Sequence, residues 1–484
     1  MKIAKFLQKY KNSSDTVKAT VWYTACNVLQ KLSAFLLIPF LTRILSKNSY
    51  GIYTVFLSWL EIFEIFATMR LYSNGYITGL VKNEEDADKY TCSIQFLSLI
   101  ITSVFLLAYH IVASPISELL QIDSKYVYMM FFSYYATSSI GIWTARQRVN
   151  NRYRMMTVTT LLYGVLSPIA SIVAAFLLED KLTAAINFRI FAQLTIALPF
   201  LVVNLCGKNK GIVWRYCVNA LKYNIPLIPY YLSMVILNSS DRIMIQRIVG
   251  EEEAAIYSVA YSIAMAIFVV SGAFTSALQP WMLKQLKDNN GEKQTITYNV
   301  AVILIAFLNL ILLITSPEVI LITASKGYYE AIWTMPPIII SLLIMFIYQQ
   351  FLNIHFYFGK TLIVLVASII SAVVNIVLNY ICINQFGYIA AGYTTLISYS
   401  LILILYFMTM KKICKQKNIY YSNYFSMKFI LGVIFAFVGL SIIITLFYPF
   451  PVIRYGLIGL GIIVCLIKRK SIIALCQKAG LLKG

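Results

Sequence analysis

Charged residues are scarce in this chain. Asp, Glu, Lys and Arg together make up 12% of its 484 residues, where a soluble protein carries about a quarter. No stretch is left over that has the composition of a separate soluble domain. Histidine is nearly absent: His110 and His355 are the two in the chain, and neither has a carboxylate close to it in sequence. The eight cysteines lie in or beside apolar runs without a CxxC pair, so neither a disulfide framework nor a zinc site is expected. GxSxG, HExxH and GxGxxG do not occur, so no enzyme class is indicated and no cofactor or metal is expected. The P-loop is missing as well, which argues against a self-contained ATP-driven pump.

What the chain has in abundance is apolar sequence, 60% of all residues. It comes in runs of about 20 residues, each long enough to cross roughly 30 Å of hydrocarbon. The first run starts near Val17, exceeds 20 residues and has no small-residue cleavage site, so it reads as a retained membrane helix rather than a signal peptide. The pattern predicts an all-α polytopic membrane protein of about fourteen spans. They are placed at 17–44, 50–72, 90–112, 126–144, 155–178, 184–206, 224–249, 254–281, 297–316, 331–353, 361–382, 388–410, 427–447 and 452–467.

The net charge of +21 suggests nucleic acid until its distribution is followed. With the N-terminus in the cytoplasm, 30 of the 40 Lys and Arg fall in cytoplasmic segments and helix ends. Seven fall on the opposite side (Arg43, Lys47, Lys125, Lys181, Arg247, Lys326 and Arg454). That alternation is the positive-inside pattern of a membrane protein with both termini in the cytoplasm. No nucleic-acid partner is expected.

An internal repeat is visible. Arg43-Ile-Leu-Ser-Lys-Asn-Ser-Tyr-Gly-Ile-Tyr53 aligns with Arg247-Ile-Val-Gly-Glu-Glu-Glu-Ala-Ala-Ile-Tyr257 at an offset of 204, and Val55 and Ser58 match Val259 and Ser262. Six spans separate the copies, which predicts two parallel six-helix lobes. The expected division is 1–210, 211–412 and, for two appended helices and a basic tail, 413–484. Prolines 39, 168, 199, 226, 229, 336 and 337 lie in spans and favour bends there.

Six ionisable residues stay inside the spans: Lys31, Glu61, Glu64, Arg189, Asp241 and Arg242. Charge at membrane depth is costly and marks function by default. Glu61 and Glu64, three apart, share a helix face, and Lys31 sits at a depth where it can pair with them. Asp241 and Arg242 adjoin in sequence and point about 100° apart, so they cannot both face one neighbour. An unpaired guanidinium at Arg189 or Arg242 suits phosphate oxygens. Arg146, with Arg148, Arg152 and Arg154, forms a cytoplasmic rim that fits an anionic headgroup as well as ordinary orientation bias.

With these residues in view, the chain resembles the polysaccharide transporter (Wzx-type) flippases of the multidrug/oligosaccharidyl-lipid/polysaccharide superfamily, which also holds lipid II flippases and MATE exporters. The likeness rests on the fourteen spans, on Pro39-Phe-Leu-Thr-Arg43…Tyr50-Gly51-Ile-Tyr53, and on Pro226-Leu-Ile-Pro229…Asp241-Arg242…Gly250…Tyr257. It implies a bacterial cytoplasmic-membrane protein that flips an undecaprenyl-pyrophosphate-linked oligosaccharide by alternating access. Such a protein works among membrane lipids and beside glycosyltransferases and a polymerase, making O-antigen, lipopolysaccharide or capsule. It implies Lys31, Arg189, Arg242 and Arg146 as substrate-binding candidates. Glu61, Glu64 and Asp241 are the candidates for ion coupling or charge pairing. At offset 204 Lys31 matches Val235 and Arg242 matches Ile38, a departure that argues against a symmetric pyrophosphate clamp. Two other readings remain open: an ion-coupled MATE-like exporter, which would depend on the three acids, and a non-transporting scaffold for polymer synthases.

Overall fold

The computed structural model describes residues 37–150, 152–207, 209–287 and 291–457, with isolated positions at 22, 26, 29, 35 and 459. Among them there is helix and no strand. Following residues 37–44, which are helical, the helices are α1 (Lys47–Thr68), α2 (Asn74–Lys82), α3 (Ala87–Ile111), α4 (Ala113–Leu120), α5 (Ser124–Val149), α6 (Tyr153–Leu177) and α7 (Lys181–Leu205). After them come α8 (Trp214–Asn224), α9 (Ile228–Ile248), α10 (Glu251–Lys287), α11 (Gly291–Thr323), α12 (Met335–Tyr357), α13 (Thr361–Phe386), α14 (Ala390–Gln416) and α15 (Met427–Leu446).

Ten of these are long and apolar enough to cross a membrane: α1, α3, α6, α7 and α10–α15. Helices α5 and α9 occupy the fourth and seventh expected spans and are 26 and 21 residues long. They carry more polar sequence, such as Asn238-Ser-Ser-Asp-Arg242. The first expected span is described only in part, and the last only to residues 457 and 459. The chain is a multi-pass helical membrane protein.

The repeat appears in the backbone. Helix ends at residue 44 and restarts at 47 in the first copy; it ends at 248 and restarts at 251 in the second. Both breaks therefore fall at the same offset of 204. The turns are made differently. Ser46 caps α1 through Oγ, which accepts from Ser49 N at 3.1 Å. Its counterpart Gly250 has φ +153°, which only glycine holds without strain.

The chain divides into two compact units, Met1–Val235 and Ile236–Gly484. Their boundary lies inside α9, later than the expected break after residue 210. The reason is α8, which belongs to the first unit's core. Its Cys217 and Ala220, three apart on one face, pack with Leu71, Tyr76, Tyr90, Ile94 and Ile142.

Within the second unit α12 is buried along nearly its whole length. Pro336 and Pro337 sit in its first turn, where a missing N–H costs no helical bond; they begin this helix rather than bend it. Pro317 does lie inside a helix, α11. Having no N–H, it leaves the Leu313 carbonyl without its helical donor, and the Tyr448 hydroxyl donates to that carbonyl at 3.2 Å. One residue on, Arg454 Nη1 donates to the Ile314 carbonyl at 3.0 Å.

Candidate substrate and ion-coupling residues

Asp241 lies on α9 with 1% of its surface exposed. Its carboxylate accepts three hydrogen bonds, from the Tyr257 hydroxyl on α10 at 2.6 Å, Thr395 Oγ1 on α14 at 2.7 Å and Asn379 Nδ2 on α13 at 2.6 Å. Bonds to an ionised acceptor are short and about twice as strong as neutral ones. Around this centre Thr394 donates to Asn379 Oδ1. Ser240 and Asn379 both donate to Asn375 Oδ1 at 3.3 Å. The Tyr261 and Tyr399 hydroxyls donate to Asn238 Oδ1 at 3.1 and 3.0 Å. Four helices thus converge on one buried acid through neutral oxygens and amides. Carboxylate, amide and hydroxyl oxygens are the ligands that hard cations prefer, and the carboxylate can equally take a proton. Among the described residues, no group of three or more His, Cys, Asp or Glu comes together.

Arg242 points elsewhere, as neighbours one residue apart must. Its guanidinium carbon lies 4.7 Å from the centroid of the Tyr261 ring, over the π face. Among the described residues no carboxylate pairs with it in a salt bridge.

In the first unit Arg189, on α7, donates from Nη1 to the Tyr53 hydroxyl of α1 at 2.9 Å. Its Nε is buried without a partner. It too has no carboxylate in a salt bridge among the described residues. Glu64 accepts from the Tyr72 hydroxyl and feels the charges of both Glu61 and Arg70; Arg70 is a residue the sequence did not single out. Arg70 follows Met69 in a left-handed turn at the end of α1, with φ of 44° and 46°, and lies over the Tyr231 ring at 5.3 Å. Glu61 is exposed, one turn back on the same helix. Lys31, the expected partner of both acids, lies outside the described residues.

Arg146 is engaged. Its Nη2 meets Asp88 Oδ1 at 2.6 Å, and Lys210 Nζ approaches the same oxygen at 3.7 Å. Lys210 also donates to the Asn204 carbonyl at 3.1 Å. Burial pushes its ammonium pKa below the usual lysine range; Arg146 adds to the shift and Asp88 opposes it. Arg146 and Lys210 thus share the single negative charge of Asp88.

The polysaccharide biosynthesis protein family matches residues 16–286, more than half of the chain. The chain belongs to that family. A second match, to the MatE family, covers residues 226–381, a range that contains Asp241, Tyr257, Asn375 and Asn379. An Lsg-locus protein of Haemophilus influenzae is 23% identical over 409 residues, covering 81% of this chain and 98% of the relative. Among solved structures, the lipid II flippase MurJ in an inward closed conformation superposes with a TM-score of 0.70 at 14% identity. That likeness covers 94% of this chain and all of MurJ. An inward-facing MATE multidrug resistance transporter gives 0.65 at 13% identity over 81% of this chain and 95% of its own. A transporter of the same superfamily from Pyrococcus furiosus gives 0.58 at 13% identity, over 84% and 97%. The family member therefore has the fold of these transporters.

Sequence reading missed the neutral partners of Asp241. Asn375 and Asn379, four apart on one face of the apolar α13, were the available signal, with Thr394-Thr395 a second. Scattered single polar residues in membrane helices are common enough to pass unremarked.

Proposed function

We propose that this family member is a flippase that carries a lipid-linked oligosaccharide across the cytoplasmic membrane by alternating access. The polar head cannot cross hydrocarbon unaided, since its charges and hydroxyls would lose their water. A hydrated path with fixed counter-charge removes that barrier while the lipid tail stays in the bilayer. The observation that carries the reading is the pair Arg189 and Arg242, one in each unit. Both lie in expected spans, each contacts a tyrosine, and neither forms a salt bridge with a carboxylate among the described residues. Placing an arginine at membrane depth costs about 2.5–3.5 kcal/mol. A pyrophosphate-linked substrate is the counter-ion that would offset that cost.

Asp241 is the coupling group in this reading, binding a proton or a monovalent cation in exchange for substrate movement. Its support is the convergence of α9, α10, α13 and α14 on one acid. Glu64 is committed to Tyr72 and serves as a second candidate, with Glu61 beside it. Undecaprenyl pyrophosphate as the carrier, O-antigen or capsule as the product, and a polymerase and glycosyltransferases as partners all extend the same proposal. So do cytoplasmic termini and a role for Lys31 and Arg146 at the substrate's entry.

The test is export of surface polymer by a strain carrying Arg189→Ala or Arg242→Ala at native expression. The expected result is a loss of polymer of tenfold or more with the protein still in the membrane. Wild-type polymer from both variants would sink the proposal. Drug resistance that depends on Asp241, with normal polymer, would favour the MATE-like exporter.

A further inference from the structure

From Ala331 to the C-terminus the chain contains 12 Lys and Arg and no Asp or Glu in 154 residues. Four of the lysines (Lys411, Lys412, Lys415 and Lys417) sit at the end of α14 and just beyond it. Several basic residues elsewhere meet acids: Arg146 and Lys210 share Asp88, Lys89 pairs with Asp86 at 3.0 Å, and Lys125 lies 3.8 Å from Asp123. The four lysines have no carboxylate within ion-pair reach among the described residues. Orientation bias accounts for lysines at a helix end but not for a shaped recess, and one is present. Lys411, Lys415, Asn418, Tyr420, Tyr421 and Ser422 line a cleft of about 330 Å³.

One wall of the cleft is rigid. The Tyr421 ring packs edge-on against Phe407 at 5.7 Å, and Phe407 packs against Phe351 of the buried α12 at 5.8 Å. The Lys411 ammonium lies 5.8 Å from the centroid of Tyr421, so the ring positions the charge and leaves its N–H donors unused. Asn418, in the left-handed conformation at φ 58°, ends α14 and turns the chain so that residues 420–422 come back beside the lysines.

The cleft is continuous with a lipid-facing surface. Ile397, Ile404 and Met408 are 51–61% exposed, and their spacing puts Lys411 and Lys415 on the same face of α14. Unpaired positive charge, hydroxyl and amide groups and an apolar track thus follow one another across the edge of the hydrocarbon.

We propose that this cleft binds the phosphate of an anionic bilayer phospholipid, with an acyl chain lying against the exposed Ile397, Ile404 and Met408 of α14. Clustered lysines next to a membrane helix attract anionic headgroups, and here the tyrosines, Asn418 and Ser422 give the headgroup a defined seat. The site lies outside the residues proposed for substrate movement, so it stands or falls independently of the flippase reading.

The experiment is native mass spectrometry of the full-length protein released from detergent with phosphatidylglycerol or phosphatidylcholine of matched chains. Wild-type protein is expected to retain phosphatidylglycerol over phosphatidylcholine. Lys411→Gln with Lys415→Gln should weaken phosphatidylglycerol retention by roughly tenfold or more, the size expected of two lysines at an anionic surface, and leave phosphatidylcholine adducts unchanged. Lys411→Arg with Lys415→Arg should retain the lipid. Lys82→Gln with Lys222→Gln, a control pair of exposed lysines, should behave as wild type. Equal retention of the two lipids by the wild type, or of phosphatidylglycerol by the Gln pair, would overturn the proposal. So would displacement of phosphatidylglycerol by equimolar isoprenyl pyrophosphate in a manner that needs Lys411 and Lys415, which would make the cleft a carrier site.

Discussion

Tyr53 and Tyr257 stand 204 residues apart at matching positions of α1 and α10, and their hydroxyls meet charges of opposite sign. Tyr53 accepts from the Arg189 guanidinium, and Tyr257 donates to the Asp241 carboxylate. A phenol can do both because its oxygen carries a proton and lone pairs. The two units therefore keep the holder and reverse the charge that is held.

That reversal makes the two Tyr→Phe variants unequal. Tyr257→Phe removes one of three donors from a buried carboxylate, and a hydrogen bond to a charged group nets about 1.5–3 kcal/mol. Tyr53→Phe removes one acceptor from a half-buried guanidinium and should cost about 1 kcal/mol or less. Thermal unfolding of the purified protein should show the larger drop for Tyr257→Phe. An unchanged melting temperature there would mean that Asp241 is not held as an anion.

A second prediction concerns Arg454, which is 1% exposed and meets both oxygens of Glu318 at 2.7 Å. Removing Glu318 strands a buried guanidinium, a loss of up to about 3–5 kcal/mol, whereas an apolar replacement of both partners is often close to neutral. Glu318→Met should lower the melting temperature sharply, Arg454→Met less because the Glu318 side chain is 28% exposed, and the double variant should regain at least half of the Glu318→Met loss. Additive losses would show that the two side chains act separately.

Glycine substitutions in helices should differ in sign. At Gly79 a Cβ would sit 1.9 Å from the Tyr90 hydroxyl, and that ring is fixed between Tyr76 and Tyr216. Gly79→Ala is therefore expected to destabilise by about 1–3 kcal/mol through overpacking. Gly432, inside α15, has nothing within 4 Å of the corresponding point. Gly432→Ala should gain up to about 1 kcal/mol by helix propensity. Paired melting curves decide it, and a stable Gly79→Ala protein would refute the close approach.

Acid should loosen the start of α7. Asp180 caps that helix by accepting from Thr183 N at 3.1 Å, and hydrogen bonds from the Thr183 side chain and backbone hold its carboxyl below the usual range. A depressed folded pKa means that the stabilisation is present above the unfolded value of about 3.9 and is lost as pH falls through the folded one. Asp180→Asn should keep the cap at neutral pH and remove this acid sensitivity. Asp180→Ala should cost about 1 kcal/mol at any pH above that window. Hydrogen exchange at Thr183 and Ala184 reports both.

Most of the membrane architecture was legible because hydropathy accumulates over 20 residues, and expected spans 2 to 13 coincide with long helices. The short helices α2, α4 and α8 were not seen: 8–11 residues of mixed polarity give no such accumulation. The repeat was legible down to the residue at which its helices break. Asp241 was legible as a buried charge, but its partners come from α10, α13 and α14, and contacts across 16 to 154 residues leave no local spacing to read. The Glu318–Arg454 pair was hidden for the same reason, with Glu318 just past an expected span end. Among the site candidates, the engagement of Arg146 by Asp88 required the fold.

The burial of α12 bears on how the protein is made. Ribosomes deliver this helix before α13, α14 and α15, yet its Gln350, Asn353 and His355 are all nearly fully buried in the finished unit. His355 finds its Thr409 partner only when α14 exists. Gln350 and Asn353 are already served by Thr275 of α10 and by each other, so until then it is the His355 ring that lacks a partner for Nε2, and an unpaired polar group in lipid is penalised. A chain cut short before α14 would carry that penalty openly and present itself to membrane quality control. The burial of His355 thus ties the innermost helix of this unit to one synthesised two helices later.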